Sequence, residues 1–310
     1  MKDAKQTNAI GNPIGINLSF AVKRWVEPEV WAERVVELGL NLVQFTFDLL
    51  DPLWPPHCRS SLAKQHSKAA KARGLEIHSA FVGLACYTYN NLLHPMPEGR
   101  EAAISWWKAA IEVAAELETS RIGGPVGGMS VRDNADPARR QERLDELLDN
   151  LHSLLDYAYD LGIREWLIEP TPIVRETPVS PEEAVMLLEK LAGPVEVRLC
   201  VDVGHALFQP LYREHARLEP WLALGRNRIG ALHLQQTDGQ SDSHWGFRNP
   251  GIVDVARIRD SLKGELGNIP IILEVFYPFE CEDEYVWEDV RASVDIIRES
   301  MGSTKNGKNG

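Results

Sequence analysis

The chain has 310 residues, 44% of them hydrophobic, which fits one large α/β barrel or two ordinary domains with a sizeable core. Its 33 basic and 45 acidic side chains leave a formal net charge of −12, which argues against nucleic acid or an anionic membrane as a general partner. No apolar run reaches the ~20 residues of a membrane-spanning helix, and the N-terminus lacks the apolar core of a signal peptide. The four scattered cysteines predict reduced thiols. We therefore expect a cytoplasmic protein.

Short apolar runs alternate with longer amphipathic segments along the chain. We expect strands near 14–20, 41–47, 75–82, 119–125, 164–169, 196–202, 228–235 and 270–276. We expect helices at 28–38, 61–73, 99–117, 137–161, 181–191, 253–263 and 285–301. The strand runs are apolar without strict alternation, which is typical of a parallel sheet covered by helices.

This order of elements predicts a single (β/α)8 TIM barrel domain over residues 1–301, because eight βα units follow one another without a linker-like break. A Gly/Lys/Asn-rich tail at 302–310 is expected to be disordered. The alternative is a doubly wound open sheet, but no G-x-G-x-x-G follows the first strand.

Acid or imidazole side chains end four successive predicted strands in the second half of the chain. They are Glu169, Asp202, His233 and Glu274. Equivalent ends of barrel strands meet at the C-terminal mouth, where barrel enzymes hold their active sites. A buried carboxylate needs a partner, and no four cations stand in matching positions, so the pattern predicts a metal site. Three carboxylates and one imidazole suit Mn²⁺ or Mg²⁺, with Co²⁺ also possible, whereas zinc usually recruits more His or Cys.

Four further side chains are predicted to bind substrate. His205 lies three residues after Asp202, and its alternatives are a second metal or an orienting contact to Asp202. His244 and Arg248 lie in the long polar loop after the seventh strand, where the planar guanidinium of Arg248 suits an anionic group. Lys23, past the first strand, is another candidate for binding an anion, although both loops could simply be solvated.

At these residues the chain resembles the xylose-isomerase-like barrel superfamily, which includes sugar epimerases, sugar isomerases and endonuclease-IV-type nucleases. In the ketose 3-epimerases of this group, the four matching positions bind one divalent metal and both glutamates carry out the proton chemistry. The resemblance therefore implies that Glu169 and Glu274 are ligands and acid/base catalysts, that Asp202 and His233 are ligands, and that His205 contacts the substrate.

Two stretches are similar to the tetrulose-phosphate 3-epimerases, namely 17–25 (NLSFAVKRW) and 44–52 (QFTFDLLDP). Gln44 departs from the glutamate that many superfamily members carry at the second strand, which puts direct transfer of sugar specificity in doubt. The resemblance implies an isomerase that binds a small sugar or sugar phosphate and inverts C3 of a ketose or tetrulose phosphate through a metal-bound enediolate. Aldose–ketose isomerisation is an alternative, and a homo-oligomer is possible.

Two other functional classes are compatible with parts of the sequence. The motifs Asp202-x-x-His205 and Asp242-x-His244 also resemble an endonuclease-IV-like phosphodiesterase, but its three zinc ions need further histidines from the third and fourth strands. The fourth strand ends in glycines, and His78 lies inside the third. A barrel that binds a sugar or a protein without catalysis has no need for two opposed glutamates.

Overall fold

Eight parallel strands pair in chain order, and the eighth pairs with the first to close a barrel. The structure, a computed structural model, describes residues 11–302. The strands are β1 Ile14–Asn17, β2 Leu42–Thr46, β3 Glu76–Phe81, β4 Arg121–Gly124, β5 Glu165–Ile168, β6 Glu196–Asp202, β7 Ile229–Leu234 and β8 Ile271–Leu273. The predicted (β/α)8 barrel is confirmed. The predicted disordered tail lies, apart from Gly302, outside the described residues.

Helices occupy the connections between strands. They are α1 Pro28–Glu37, α2 Pro56–Ala72, α3 Pro97–Glu116, α4 Val131–Ala135, α5 Pro137–Asp160, α6 Pro181–Lys190, α7 Val203–Ala206, α8 Gln209–Tyr212, α9 Glu219–Leu222, α10 Val255–Ser261 and α11 Asp283–Ser300. Five of them, α1, α2, α3, α5 and α6, start at a proline, whose missing N–H and fixed φ suit a first turn. Helix α6 begins as its sequence predicts, because the Ser180 side chain accepts from the Glu183 amide.

The main apolar core lies between the barrel and its helices. Its largest fully buried side chains include Trp31, Trp106, Trp107 and Trp166. A smaller cluster groups four buried residues of four different strands, Phe81, Leu167, Cys200 and Ala231. No helix in the described part of the chain combines the length and hydropathy needed to cross a membrane.

The register of neighbouring strands decides which polar residues meet at the mouth of the barrel. Asp202 on β6 pairs with His233 on β7, so these two side chains leave the sheet at the same level. On the other side of the barrel, Asn17, Gln44 and Ser79 are successive partners across β1, β2 and β3. The barrel therefore brings one row of amide and hydroxyl groups and one row of acids and imidazoles to the same end.

Candidate active site

The four predicted metal ligands converge at the C-terminal end of the barrel. Glu169 and Glu274 directly follow β5 and β8, Asp202 ends β6, and His233 lies on β7. One carboxylate oxygen or imidazole nitrogen from each residue can be chosen so that these four atoms all lie within 4.8 Å of one another. All four side chains are buried, Glu169 being the most exposed at 7%. Their convergence agrees with the spacing of the strand ends in the sequence.

His233 is at the centre of this cluster. Its Nδ1 lies 2.9 Å from Glu169 Oε1 and 2.9 Å from Glu274 Oε2. On the opposite side of the ring, Nε2 lies 2.8 Å from Gln44 Oε1. The second carboxylate oxygen of Glu274 accepts from Asn17 Nδ2 at 2.9 Å. One imidazole nitrogen therefore faces two carboxylates, and the other faces an amide.

Burial disfavours a charge on both glutamates, but their pKa values move in opposite directions. Burial raises the pKa of Glu169, with His233 partly offsetting it. For Glu274 the same burial is outweighed by His233 and His244, which hold its pKa below the usual value. Burial would also keep His233 neutral, but its acidic neighbours, Glu274 and Glu169 among them, raise the pKa of this imidazole well above its ordinary value. Two carboxyls in one site with diverging pKa values are typical of an acid and base pair.

The donor set fits a divalent cation. Asp202 Oδ2 is buried and has no hydrogen-bond partner among the described residues, and an unpartnered buried carboxylate oxygen is costly. Three buried carboxylates within one cluster also repel one another unless positive charge lies between them. Mostly oxygen ligands with one imidazole favour Mn²⁺, Mg²⁺ or Co²⁺ over a structural zinc.

His205 and His244 lie beside this cluster and share one carboxylate. Asp242 Oδ1 is 3.2 Å from His205 Nε2 and 3.1 Å from His244 Nε2. The other ring nitrogen of His205 lies 3.0 Å from the carbonyl oxygen of Pro170. Burial opposes charge on both imidazoles, yet Asp242 outweighs it and raises the pKa of His244 to about 9. Asp202 and Asp242 together raise the pKa of His205 as well.

A cavity of about 100 Å³ opens above these groups. Its polar lining includes Glu169, Glu274, His205, His244 and Asp242, and its apolar lining includes Val82, Leu84, Pro125, Pro172, Ile173 and Phe276. Tyr87 and Thr171 also line it, and both hydroxyls donate to the buried carboxyl of Glu176. Polar groups that converge at the floor of an apolar-walled cavity are the usual arrangement of a small-molecule site.

Two of the predicted substrate contacts lie outside the lining of this cavity. Arg248 is 42% exposed at its side chain and lies 3.4 Å from Glu288 on α11. Lys23 is exposed, with its ammonium 4.8 Å from the centre of the Phe279 ring. Their role in substrate binding stays a prediction, whereas His205 and His244 are both brought to the cavity.

The structure also adds polar residues that were not assigned a role from the sequence. Asn17, Gln44 and Gln235 are fully or almost fully buried, and Asp242 bridges the two histidines. Asn17 ends β1, Gln44 lies in the middle of β2, and Gln235 directly follows β7. Gln235 donates to Asp202 Oδ1 at 2.9 Å and accepts from the backbone amide of His244. Asn17 and Gln235 stand at strand ends like the four predicted ligands, whereas Gln44 lies inside its strand and carries no such signal in the sequence.

Comparison with known proteins agrees with this architecture. Residues 32–302 match the family model described as a xylose isomerase-like TIM barrel. The chain belongs to this family. The match begins inside α1 and runs past the end of α11, and so includes all four predicted metal ligands of this xylose isomerase-like barrel.

Its relatives include sugar-converting enzymes. A Rhodospirillum rubrum protein, named in its solved structure as a candidate xylose isomerase, is 41% identical with a TM-score of 0.89, over 93% of this chain and 99% of that one. D-erythrulose 1-phosphate 3-epimerase of Brucella abortus (strain 2308) is 24% identical over 196 residues. That match covers 62% of this chain and spans 63% of the relative. D-psicose 3-epimerase of Clostridium cellulolyticum H10, solved with D-tagatose, shares the fold at a TM-score of 0.71 and 15% identity, over 93% and 99% of the two chains.

Proposed function

We propose that this protein is a metal-dependent isomerase of a small sugar or sugar phosphate, and that it inverts C3 of a ketose. The observation that carries the proposal is the pair Glu169 and Glu274, whose carboxylates both lie 2.9 Å from His233 Nδ1 at the floor of the cavity. The two glutamates follow β5 and β8, which are not neighbours in the barrel. They therefore approach a bound carbon atom from different sides.

The cluster of Glu169, Asp202, His233 and Glu274 would hold the cation. A bound Mn²⁺, Mg²⁺ or Co²⁺ supplies positive charge that makes the C–H bond beside a ketose carbonyl more acidic. One glutamate takes the C3 proton as a general base, and the other returns a proton to the opposite face as a general acid. Proton return from the opposite face inverts the configuration of C3.

His205 and His244 are the proposed hydrogen-bonding contacts of the substrate. Both line the cavity, and Asp242 holds both rings through their Nε2 atoms. The apolar wall, with Ile173 and Phe276, would limit access of water to the reacting carbon. Arg248 and Lys23 stay candidates for a phosphate group. An increase in KM for a phosphorylated ketose, but not for its free sugar, in Arg248→Ala or Lys23→Ala would support that role.

The C3 position is favoured by the relatives of this family. The Brucella abortus relative is named as a D-erythrulose 1-phosphate 3-epimerase, and the Clostridium cellulolyticum neighbour as a D-psicose 3-epimerase. Both names describe inversion at C3 of a ketose. Removal of a proton from C1 and its return to C2 would instead give aldose–ketose isomerisation with the same residues, so the product has to be identified directly.

A phosphodiesterase is the second candidate, and one observation favours it. Asp202, His205 and His244 form another group of side chains that could hold a metal ion, as a multinuclear site would need. Against it, β4 ends at Gly123 and Gly124, and His78 lines a separate cavity with the first residues of β3, β4 and β5. The net charge of −12 also opposes binding of DNA.

Proton NMR in D₂O separates these functions. The Mg²⁺-loaded protein is incubated with tetruloses, pentuloses and hexuloses and with their phosphates. Deuterium at C3 together with a new diastereomer is the expected result. An aldose product with deuterium at C2 would change the assignment to an aldose–ketose isomerase. Absence of exchange with every ketose, together with nicking of a duplex that contains an abasic site, would favour the phosphodiesterase.

A further inference from the structure

Gln44 lies beneath the proposed metal ligands as a fully buried amide on β2. Its Oε1 is 2.8 Å from His233 Nε2 and 2.7 Å from Asn17 Nδ2, while its Nε2 donates to Ser79 Oγ at 3.2 Å. Asn17, Gln44 and Ser79 are register partners on β1, β2 and β3. These three side chains thus form one hydrogen-bonded row across neighbouring strands, and His233 contacts the middle of it.

The direction of every hydrogen bond in this row follows from one backbone group. The amide N–H of Ser19 can only donate, and it lies 2.9 Å from Asn17 Oδ1. The Asn17 NH₂ group therefore faces the other way, where it donates to Gln44 Oε1 and to Glu274 Oε1. Because Asn17 is a donor there, the Gln44 atom that meets it has to be the carbonyl oxygen.

The same oxygen decides the tautomer of His233. A carbonyl oxygen can only accept, so the His233 nitrogen that faces it, Nε2, has to carry a proton. In the neutral imidazole this leaves the lone pair on Nδ1, which points between Glu169 and Glu274. Only a nitrogen without a proton can bind a metal, and the contact made by the other nitrogen decides which one this is.

We propose that Asn17 and Gln44 are positioning residues of the site: they hold His233 as the Nε2–H tautomer, with Nδ1 free for a divalent cation, and they hold Glu274 by one oxygen. The inference rests on the proposed metal-dependent function. Gln44 performs this role as a neutral group, so the cluster of three carboxylates gains a hydrogen bond without a fourth negative charge. Asn17 donates both to Gln44, which contacts His233, and to Glu274, so it connects the histidine and the glutamate on the side opposite to their direct contact.

A matched pair of substitutions separates this role from simple electrostatics. Gln44→Glu and Asn17→Asp each add one negative charge beside the cluster. Gln44→Glu keeps an acceptor opposite His233 Nε2, so the tautomer is retained. In Asn17→Asp, a carboxylate oxygen would face Gln44 Oε1, and the two oxygens would repel each other. Rotation of the Gln44 amide by half a turn removes this repulsion, because its NH₂ group then faces residue 17 and His233. His233 Nε2 then has to accept, and the proton moves to Nδ1, where it blocks the metal.

The test is calorimetric titration of the metal-free protein and its variants with MnCl₂, with thermal unfolding as the check on folding. We expect Asn17→Asp to bind Mn²⁺ about 10–100-fold more weakly than the unmodified chain, the usual cost of losing an outer partner of a ligand. We expect Gln44→Glu to bind as tightly or more tightly. Asn134→Asp is the control, because the carboxylate it creates pairs with Arg140 away from the site.

The alternative outcomes are distinct. Equal effects of Gln44→Glu and Asn17→Asp on the affinity for Mn²⁺ would show that charge, not hydrogen-bond direction, controls binding, and would overturn the proposal. If Asn17→Asp does not fold, Gln44→Leu, which removes the acceptor without adding a charge, has to show the same loss of affinity or the proposal is wrong. If the unmodified chain binds none of Mn²⁺, Mg²⁺ and Co²⁺, the proposed function itself fails, and the inference with it.

Discussion

The backbone amide of His205 donates to Asp202 Oδ1 at 2.8 Å, so the last residue of β6 caps the short helix that follows it. Gln235 Nε2 donates to the same oxygen at 2.9 Å. The other oxygen, Oδ2, is buried and accepts no hydrogen bond from the described residues. Hydrogen bonds within the protein thus hold Oδ1 of this carboxylate, whereas Oδ2 is available to the proposed metal ion.

The substitution Asp202→Asn should separate the roles of the two carboxylate oxygens. The amide oxygen can replace Oδ1 as the helix cap, while an NH₂ group replaces the free Oδ2. We expect the affinity for Mn²⁺ to fall by at least about 100-fold. Without metal, thermal stability should stay equal or increase, because one of three mutually repelling buried charges is removed. Calorimetric titration and thermal unfolding with and without Mn²⁺ measure both effects. A marked loss of stability in the metal-free variant would mean that Asp202 has a structural role.

The barrel and the convergence of the four predicted ligands could be predicted because both depend on local sequence. An apolar run of strand length fixes where a strand ends, and the closed parallel barrel then brings equivalent ends together, as it does for Glu169 and Glu274. Asn17 also ends a strand, but an amide at a strand end is common in ordinary packing, and Gln44 lies in the middle of β2. Their role depends on strand register, which carries no local signal.

The direction of a loop side chain is hard to predict for a different reason, and His244 and Arg248, from the same loop, end in different places. Arg248 has the right chemistry for an anion, but its direction depends on α11, some forty residues later in the chain, where Glu288 pairs with it. The loop itself is held by contacts distant in sequence, such as Ser293 Oγ accepting from the Phe247 amide. Helices α7, α8 and α9, each of four residues, are too short to give a periodic signal.

Glu274→Gln and Glu169→Gln should each abolish most of the turnover with little change in fold. General acid or base catalysis contributes about 10²–10⁴-fold, so we expect kcat to fall by that factor when either carboxyl becomes an amide. Measurement of kcat and of deuterium exchange at C3 checks this for the ketose found by NMR. The control is Glu165→Gln, another buried glutamate, which lies between Arg121 and Arg198 at the opposite end of the barrel. It should lower stability and leave kcat unchanged. Near-normal turnover in Glu274→Gln would contradict the proposed mechanism.

Removal of metal should abolish activity and lower stability. We expect chelation to inactivate the protein and Mn²⁺, Mg²⁺ or Co²⁺ to restore it. A cation at 100 times its Kd stabilises the folded state by about 2.7 kcal/mol, which corresponds to a rise of several degrees in Tm. We expect one ion per chain, because Asp242 holds His205 and His244, the proposed substrate contacts, through their Nε2 atoms. A stoichiometry of two or more would favour the phosphodiesterase.

His66 should make the fold sensitive to acid independently of the site. The ring is 3% exposed, and its Nδ1 accepts from Trp31 Nε1 at 2.9 Å. Burial lowers the pKa of His66 from 6.5 to about 4. Between these two pH values the unfolded chain binds a proton at His66 that the folded chain excludes. The contribution of neutral His66 to the free energy of unfolding is therefore complete above pH 6.5 and is lost as the pH falls toward 4. The shift corresponds to about 3 kcal/mol.

In His66→Gln, whose side-chain oxygen can still accept from Trp31, this part of the pH dependence should disappear. Urea unfolding of both proteins at pH 7.5, 6, 5 and 4 measures the difference, and parallel profiles would show that His66 does not cause the acid sensitivity.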